Sequence, residues 1–99
     1  MGRILTDNNL LPLIYAALGQ VNAIRPPDAQ VPLEPGVVLA GEDGLLDSFA
    51  LTTLILALEE RVRDRTGQEI SLLQEDDLDT LTRNFRTPSA IAAHIADKL

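Results

Sequence analysis

The residues with the clearest chemical potential form one short run, Gly44-Leu45-Leu46-Asp47-Ser48-Phe49. A glycine-containing loop here delivers an acidic residue and a serine to the start of a strongly periodic apolar segment. The first turn of a helix offers unpaired backbone N–H groups and the positive end of the helix dipole. A phosphate joined to the Ser48 hydroxyl would therefore be favourably placed.

The segment that begins at this serine, residues 48–65, has the clearest helical pattern. Gly67 supplies a C-terminal stop, and the arginines of the last two turns lie near the negative end of the helix dipole. The predicted apolar face consists of Leu51, Leu54, Ile55, Leu58 and Val62.

An earlier segment, residues 8–24, also has the three-and-four spacing of an amphipathic helix. Asp7 or Asn8 could cap its start, and Pro12 is expected in the first turn, where its missing donor costs little. The predicted apolar face consists of Leu10, Leu11, Leu13, Ile14, Ala17, Leu18, Val21 and Ile24.

The connector between these helices, residues 25–46, contains four prolines and three glycines. This density of helix breakers excludes a regular helix. Structureless loops longer than about 12–15 residues are uncommon and tend to be functional. We expect Val37, Val38 and Leu39 to anchor the loop by burying their side chains.

Two shorter helices complete the expected fold. One is predicted over residues 76–81, and the last begins at Thr87-Pro88, where a hydroxyl cap precedes a proline in the first helical position. No alternating strand pattern is present. We therefore predict an all-α fold, a small four-helix bundle with a long loop between helices one and two, in a single domain over residues 1–99. The buried stripe of the last helix is Ile91, Ala92, Ile95 and Leu99.

The chain has 8 Lys and Arg residues against 15 Asp and Glu residues, a formal net charge of −7. This charge repels phosphate backbones and anionic membrane surfaces, so no nucleic acid partner is expected. Protein partners are expected to use basic patches, in a salt-sensitive encounter. No apolar run approaches the roughly 18 residues of a transmembrane helix, and no signal peptide is recognisable. We expect a cytoplasmic monomer with no membrane insertion.

The acyl carrier protein family has an Asp-Ser-Leu attachment motif, which resembles the run Leu46-Asp47-Ser48-Phe49 in this chain. The start of the family's last helix is similar to Phe85-Arg86-Thr87-Pro88. Together with the second predicted helix and the first, the resemblance spans nearly the whole chain. It implies a four-helix bundle of the acyl-carrier type.

The resemblance implies that Ser48 carries a covalent phosphopantetheine arm as its cofactor. A separate phosphopantetheinyl transferase, using coenzyme A and Mg²⁺, would join the arm to the hydroxyl as a phosphodiester. Asp47 would contact that enzyme or orient the site. The thiol of the arm would hold acyl groups as thioesters for acyl-activating or acyl-transferring enzymes of fatty acid, other lipid or secondary-metabolite synthesis. Such a carrier is not an enzyme and has no catalytic residue.

The simpler interpretation of Asp47 and Ser48 is that they only cap a helix, since both residue types are common caps. In the peptidyl carriers of nonribosomal synthesis, Gly-Gly-His-Ser or Gly-Gly-Asp-Ser usually stands at this point. Leu46 and Asp47 precede the serine here, which argues against that class.

The chain departs from the family on the second predicted helix. Phe49 stands in place of the usual Leu, and Ala50 and Thr53 stand at positions that are often acidic in fatty-acid carriers. These changes imply a specialised stand-alone carrier. They also motivate an alternative, an unmodified carrier-like helical module that acts only as a protein-docking domain. The predicted partner-binding face consists of Phe49, Thr52, Thr53, Leu56 and Glu60.

The two large apolar residues of that face allow a second interpretation. Phe49 and Leu56 could fold back onto the rim of the core, which is the commoner fate of apolar helix residues.

Other arrangements that could do chemistry are weaker. Ser48, His94 and an aspartate could be named as a hydrolase triad, but the serine lacks the Gly-x-Ser-x-Gly elbow. The acidic run at residues 75–77, with Asp79, lacks the alternating oxygen ligands of a calcium loop. One histidine and no cysteine make a zinc site unexpected. We therefore predict no metal site and expect His94 to be exposed or half-buried.

Overall fold

The computed structural model describes residues 7–72 and 78–98. In this part of the chain the regular structure is entirely helical, with four α-helices and no strand, which confirms the all-α prediction. The helices are α1 (Asp7–Asn22), α2 (Ser48–Thr66), α3 (Leu78–Asn84) and α4 (Pro88–Lys98). A single 3₁₀ turn, Pro27–Ala29, interrupts the long loop between α1 and α2.

The helix α1 lies at the centre of the packing, because it contacts both α2 and α4, while α3 packs on α4. Phe85, between α3 and α4, is fully buried, and its ring lies edge-on to His94 with centroids 5.5 Å apart. His94 is half-buried, as the sequence predicts. The fully buried aliphatic side chains of the core include Leu10, Ile14, Leu18, Leu54, Ile55, Leu58, Ile91 and Ile95.

The end of α1 differs from its prediction, because the helix stops at Asn22 and Ile24 is 69% exposed. Pro26 disfavours helical conformation at Arg25, so the helix cannot extend beyond Ile24. The Asn22 side chain then holds the loop. Its Oδ1 accepts from Val31 N at 2.8 Å and its Nδ2 donates to Val31 O at 3.1 Å. The prediction that Ile24 is buried is wrong, and Val31 is buried in the core at 3% exposure instead.

The start of α1 also differs, since Pro12 lies inside the helix and not in its first turn. A proline there removes the backbone bond that residue 12 would donate to residue 8. The predicted caps, the side chains of Asp7 and Asn8, lie outside the described residues. Leu11 is half-buried, and the remaining predicted face up to Val21 is buried.

The second helix matches its prediction closely. Gly67 adopts the left-handed conformation at φ 77° and donates its N–H to Arg63 O at 2.8 Å, which ends the helix. Leu51 is half-buried, and the other four predicted face residues are buried.

The last two helices lie near their predicted positions. The predicted helix over residues 76–81 corresponds to α3, and its first two residues lie outside the described residues. Thr87 caps α4 as predicted, because its Oγ1 accepts from Ala90 N at 3.0 Å. Leu99, predicted for the buried stripe, is also outside the described part.

The long loop is fastened to the bundle through its backbone. Leu39 N donates to Arg86 O at 2.6 Å, and Ser89 N donates to Pro35 O at 3.1 Å. Leu39 is fully buried, whereas Val37 and Val38 are only half-buried, so the predicted anchor rests mainly on Leu39. Within the described residues, none of the helices has the length and apolar content required to cross a membrane.

Candidate functional site

The loop that leads to Ser48 folds back on itself as a tight backbone turn. Gly44 N donates to Gly41 O at 3.0 Å, Leu45 N to Val38 O at 3.1 Å, and Leu46 N to Leu39 O at 3.0 Å. Because Leu39 is in the core, these bonds fix the approach to Ser48 relative to the bundle. We call this segment, residues 38–47, the attachment loop.

Gly44, one of the two glycines of this loop, is required by close packing. A Cβ added at Gly44 would meet the carbonyl oxygen of Leu39 and would lie 2.6 Å from the Leu39 carbonyl carbon. Real Cβ atoms are not found that close to backbone atoms, so a side chain at Gly44 would push the backbone at residues 39 and 40 away.

Substitution of Gly44 tests this packing. Gly44→Ala is expected to lower the free energy of unfolding by about 1–3 kcal/mol, the range for overpacked sites. The control is Gly36→Ala, where the added methyl would have no atom within 4 Å and the free energy should change by no more than about 0.5 kcal/mol. Urea denaturation measures the free energy of unfolding of both variants. An equal effect of the two substitutions would contradict the close approach at Gly44.

Asp47 is the N-cap of α2. Its backbone is extended, with φ −80° and ψ −178°, and its Oδ1 accepts from Ala50 N at 2.8 Å. Its carbonyl accepts the first helical bond, from Leu51 N at 2.9 Å. Asp47 therefore caps α2, and Ser48 is the first residue inside the helix.

Ser48 is exposed at the positive end of a helix of 19 residues. Its hydroxyl oxygen can be approached from solvent, and a phosphate group bonded to it would lie beside the first-turn N–H groups. The helix dipole favours a negative charge at this point, where the Asp47 carboxylate already accepts one of the first-turn N–H groups.

The outward side of α2 next to Ser48 is apolar and exposed. Phe49 is 72% exposed and Leu56 is 51% exposed. The interpretation that they fold back onto the core rim is therefore wrong. Thr52 and Glu60 are exposed and Thr53 is half-buried. We call these five predicted residues the docking face.

The hydroxyls of the docking face are turned back onto the helix. Thr52 Oγ1 donates to Ser48 O at 2.9 Å, and Thr53 Oγ1 donates to Phe49 O at 3.0 Å. With its hydroxyl bonded to the helix, each threonine leaves its methyl group to add to the apolar surface. Ala50 is only 8% exposed, so an acidic residue at that position would face the core and not a partner.

Two features near the site were missed by the sequence analysis. Leu45 is 45% exposed just before Ser48, although its neighbour Leu46 is buried. An open groove of about 680 Å³ runs beside α2, with Leu56, Ala57 and Ile70 among its lining residues. The groove lies between α2 and the chain that follows it, which is tied back to the helix where Glu59 Oε2 accepts from Leu72 N at 2.7 Å. The apolar spacing of a helix gives no indication of a bond between a helix side chain and a backbone N–H 13 residues later.

The alternative chemical arrangements gain no support from the geometry. His94 lies on α4, with its ring against Phe85. Among the described residues, no group of three or more acidic, histidine or cysteine side chains is arranged to hold a metal ion. The acidic residues 75–77 lie outside the described residues.

No family model, no curated protein and no solved structure matches this chain.

Proposed function

We propose that this protein is an acyl carrier, a four-helix bundle of the acyl-carrier type that holds acyl groups as thioesters on a phosphopantetheine arm attached to Ser48. The observation that carries the proposal is the exposed Ser48 hydroxyl in the first turn of α2, directly after the Asp47 cap. The carrier does not catalyse. It serves as substrate for a phosphopantetheinyl transferase and as scaffold for acyl-activating or acyl-transferring enzymes, as a cytoplasmic monomer.

The surroundings of Ser48 support this role. The attachment loop is fastened to the core through Leu39 and Leu46, so the hydroxyl is offered to a partner from a fixed position. The phosphodiester made with the arm keeps a negative charge, which the positive end of α2 stabilises. Asp47 keeps the helix start in place by accepting from Ala50 N.

The direct test is modification of the purified protein. Incubation with coenzyme A, Mg²⁺ and a broad-specificity phosphopantetheinyl transferase is expected to add the mass of one phosphopantetheine group, measured on the intact protein. Failure of the wild-type protein to gain this mass, with an established carrier modified in the same reaction, would remove the proposal.

A second candidate function is protein docking without an arm, in which the docking face alone acts. The observation that favours it is the exposure of Phe49 and Leu56, two large apolar side chains on one side of α2. Complementation of a strain lacking the protein with Ser48→Ala separates the two functions. Full activity of this variant supports docking alone, whereas loss of activity with an intact helical spectrum supports the carrier.

The docking face gives a prediction for the transferase reaction. Phe49→Asp is expected to raise the KM for the carrier about tenfold, because exposed aromatic residues often dominate such contacts. Leu33→Asp is the matched control, since Leu33 is also exposed, at 49%, but lies on the long loop. It should leave the KM unchanged. Equal effects of the two substitutions would show that Phe49 is not a specific contact.

A further inference from the structure

The side chain of Arg25 joins two parts of the long loop that are far apart in sequence. Its Nε donates to Ala29 O at 2.7 Å, and its Nη2 donates to Leu45 O at 3.3 Å, across 20 residues. Leu45 lies three residues before Ser48. Arg25 therefore connects the chain leaving α1 with the attachment loop, through one part-buried and one exposed hydrogen bond.

The backbone of Arg25 is itself held in place. Its N–H donates to Asn22 O at 3.0 Å, and its carbonyl accepts from Gln30 Nε2 at 3.0 Å. Gln30 Nε2 also donates to Asn22 O at 2.8 Å. These hydrogen bonds fix the backbone from which the guanidinium projects, at the end of α1. Only two flexible side chains, Arg25 and Gln30, lose rotamer freedom when the arrangement forms.

The backbone of Leu45 is hydrogen-bonded through both its N–H and its carbonyl. Its N–H donates to Val38 O at 3.1 Å, and its carbonyl accepts from Arg25. The side chain of Leu45 is 45% exposed, so packing of that side chain does little to fix this residue. The hydrogen bond from Arg25 adds a side-chain contact to the backbone bonds that hold this residue.

We propose that Arg25 is a positioning residue for Ser48: by bridging the carbonyls of Ala29 and Leu45 it fixes the attachment loop and so the place at which the hydroxyl meets a transferase. The inference rests on the proposed carrier function. Arginine suits this bridge, since the Nε and Nη2 of its planar guanidinium donate in fixed, divergent directions, whereas a lysine has one donating nitrogen on a flexible stem.

The experiment compares Arg25→Gln and Arg25→Lys with the control Arg83→Gln, an exposed arginine on α3. We expect both Arg25 variants to lower the kcat of phosphopantetheine transfer several-fold with little change in KM, because the docking face is intact. Phe49→Asp should instead raise KM with little change in kcat. Thermal unfolding of all variants checks that the bundle is retained. The control should behave as wild type.

Amide hydrogen exchange gives a second measurement that does not need the transferase. The Leu45 and Leu46 amides should exchange about tenfold faster in both Arg25 variants, with amides in the core of α1 and α2 unchanged. Unchanged exchange at these two amides, or a wild-type kcat in both Arg25 variants, would overturn the positioning role. If wild type is not modified at all, the carrier function fails, and the exchange result still decides whether Arg25 holds the loop.

Discussion

Replacement of Ser48 by alanine is expected to abolish phosphopantetheine transfer while leaving the bundle folded. The hydroxyl is the oxygen that would accept the phosphoryl group, so no partial activity should remain. Asp47 supplies the cap of α2 and the Ser48 side chain is exposed. We therefore expect the free energy of unfolding to change by no more than about 0.5 kcal/mol, as for other surface substitutions.

The chain offers a closely matched control for this experiment. Ser89 is also exposed and also lies in the first turn of a helix, α4. Ser89→Ala should gain the same mass as wild type. Mass gain in Ser48→Ala, or loss of the gain in Ser89→Ala, would show that a different residue accepts the arm. Asp47→Ala should behave differently from both, with a stability loss of about 0.5–2 kcal/mol for the lost cap.

The second large effect is expected in the core of α2. Leu58 is fully buried between the helices, so Leu58→Ala should lower the free energy of unfolding by about 2–5 kcal/mol through the cavity that it leaves. Leu54→Ala should lower the free energy of unfolding by a similar amount, because Leu54 is also fully buried. Chemical denaturation followed by circular dichroism measures the loss. A bundle of this size is marginally stable, so either variant could be partly unfolded at 37 °C.

The neighbouring Leu56 makes this comparison decisive. It lies on the same helix but is 51% exposed, on the docking face. Leu56→Ala should change the free energy of unfolding by no more than about 0.5 kcal/mol. If Leu56→Ala lowered the free energy of unfolding more than Leu58→Ala, the assignment of the buried and exposed sides of α2 would be wrong. The docking face would then be wrong as well.

The helices could be predicted from the sequence where the signals are local. Apolar spacing located α2 from Ser48 onward, and the Thr87-Pro88 pair located the start of α4. Each signal acts within one or two turns of the chain, through a cap bond or one buried stripe. Such signals were also sufficient to predict that Ser48 lies at a helix start.

The wrong prediction for Ile24, and the features that were not predicted at all, depend mainly on contacts between residues far apart in sequence. Ile24 continues the apolar spacing of α1, but the helix ends at Asn22, whose side chain bonds to Val31. The bridge from Arg25 to Leu45 spans 20 residues and has no periodic signature. The groove beside α2 depends on where the chain turns after Gly67. Phe49 and Leu56 could be assigned to solvent only once the buried side of α2 was known.

The most direct test of the proposed carrier function is the mass of the intact protein purified from its native host, with peptide mapping of any added group. We expect one phosphopantetheine group, free or acylated, on the peptide that contains Ser48. An unmodified protein from cells that modify their other carriers, or an added group on another residue, would contradict it.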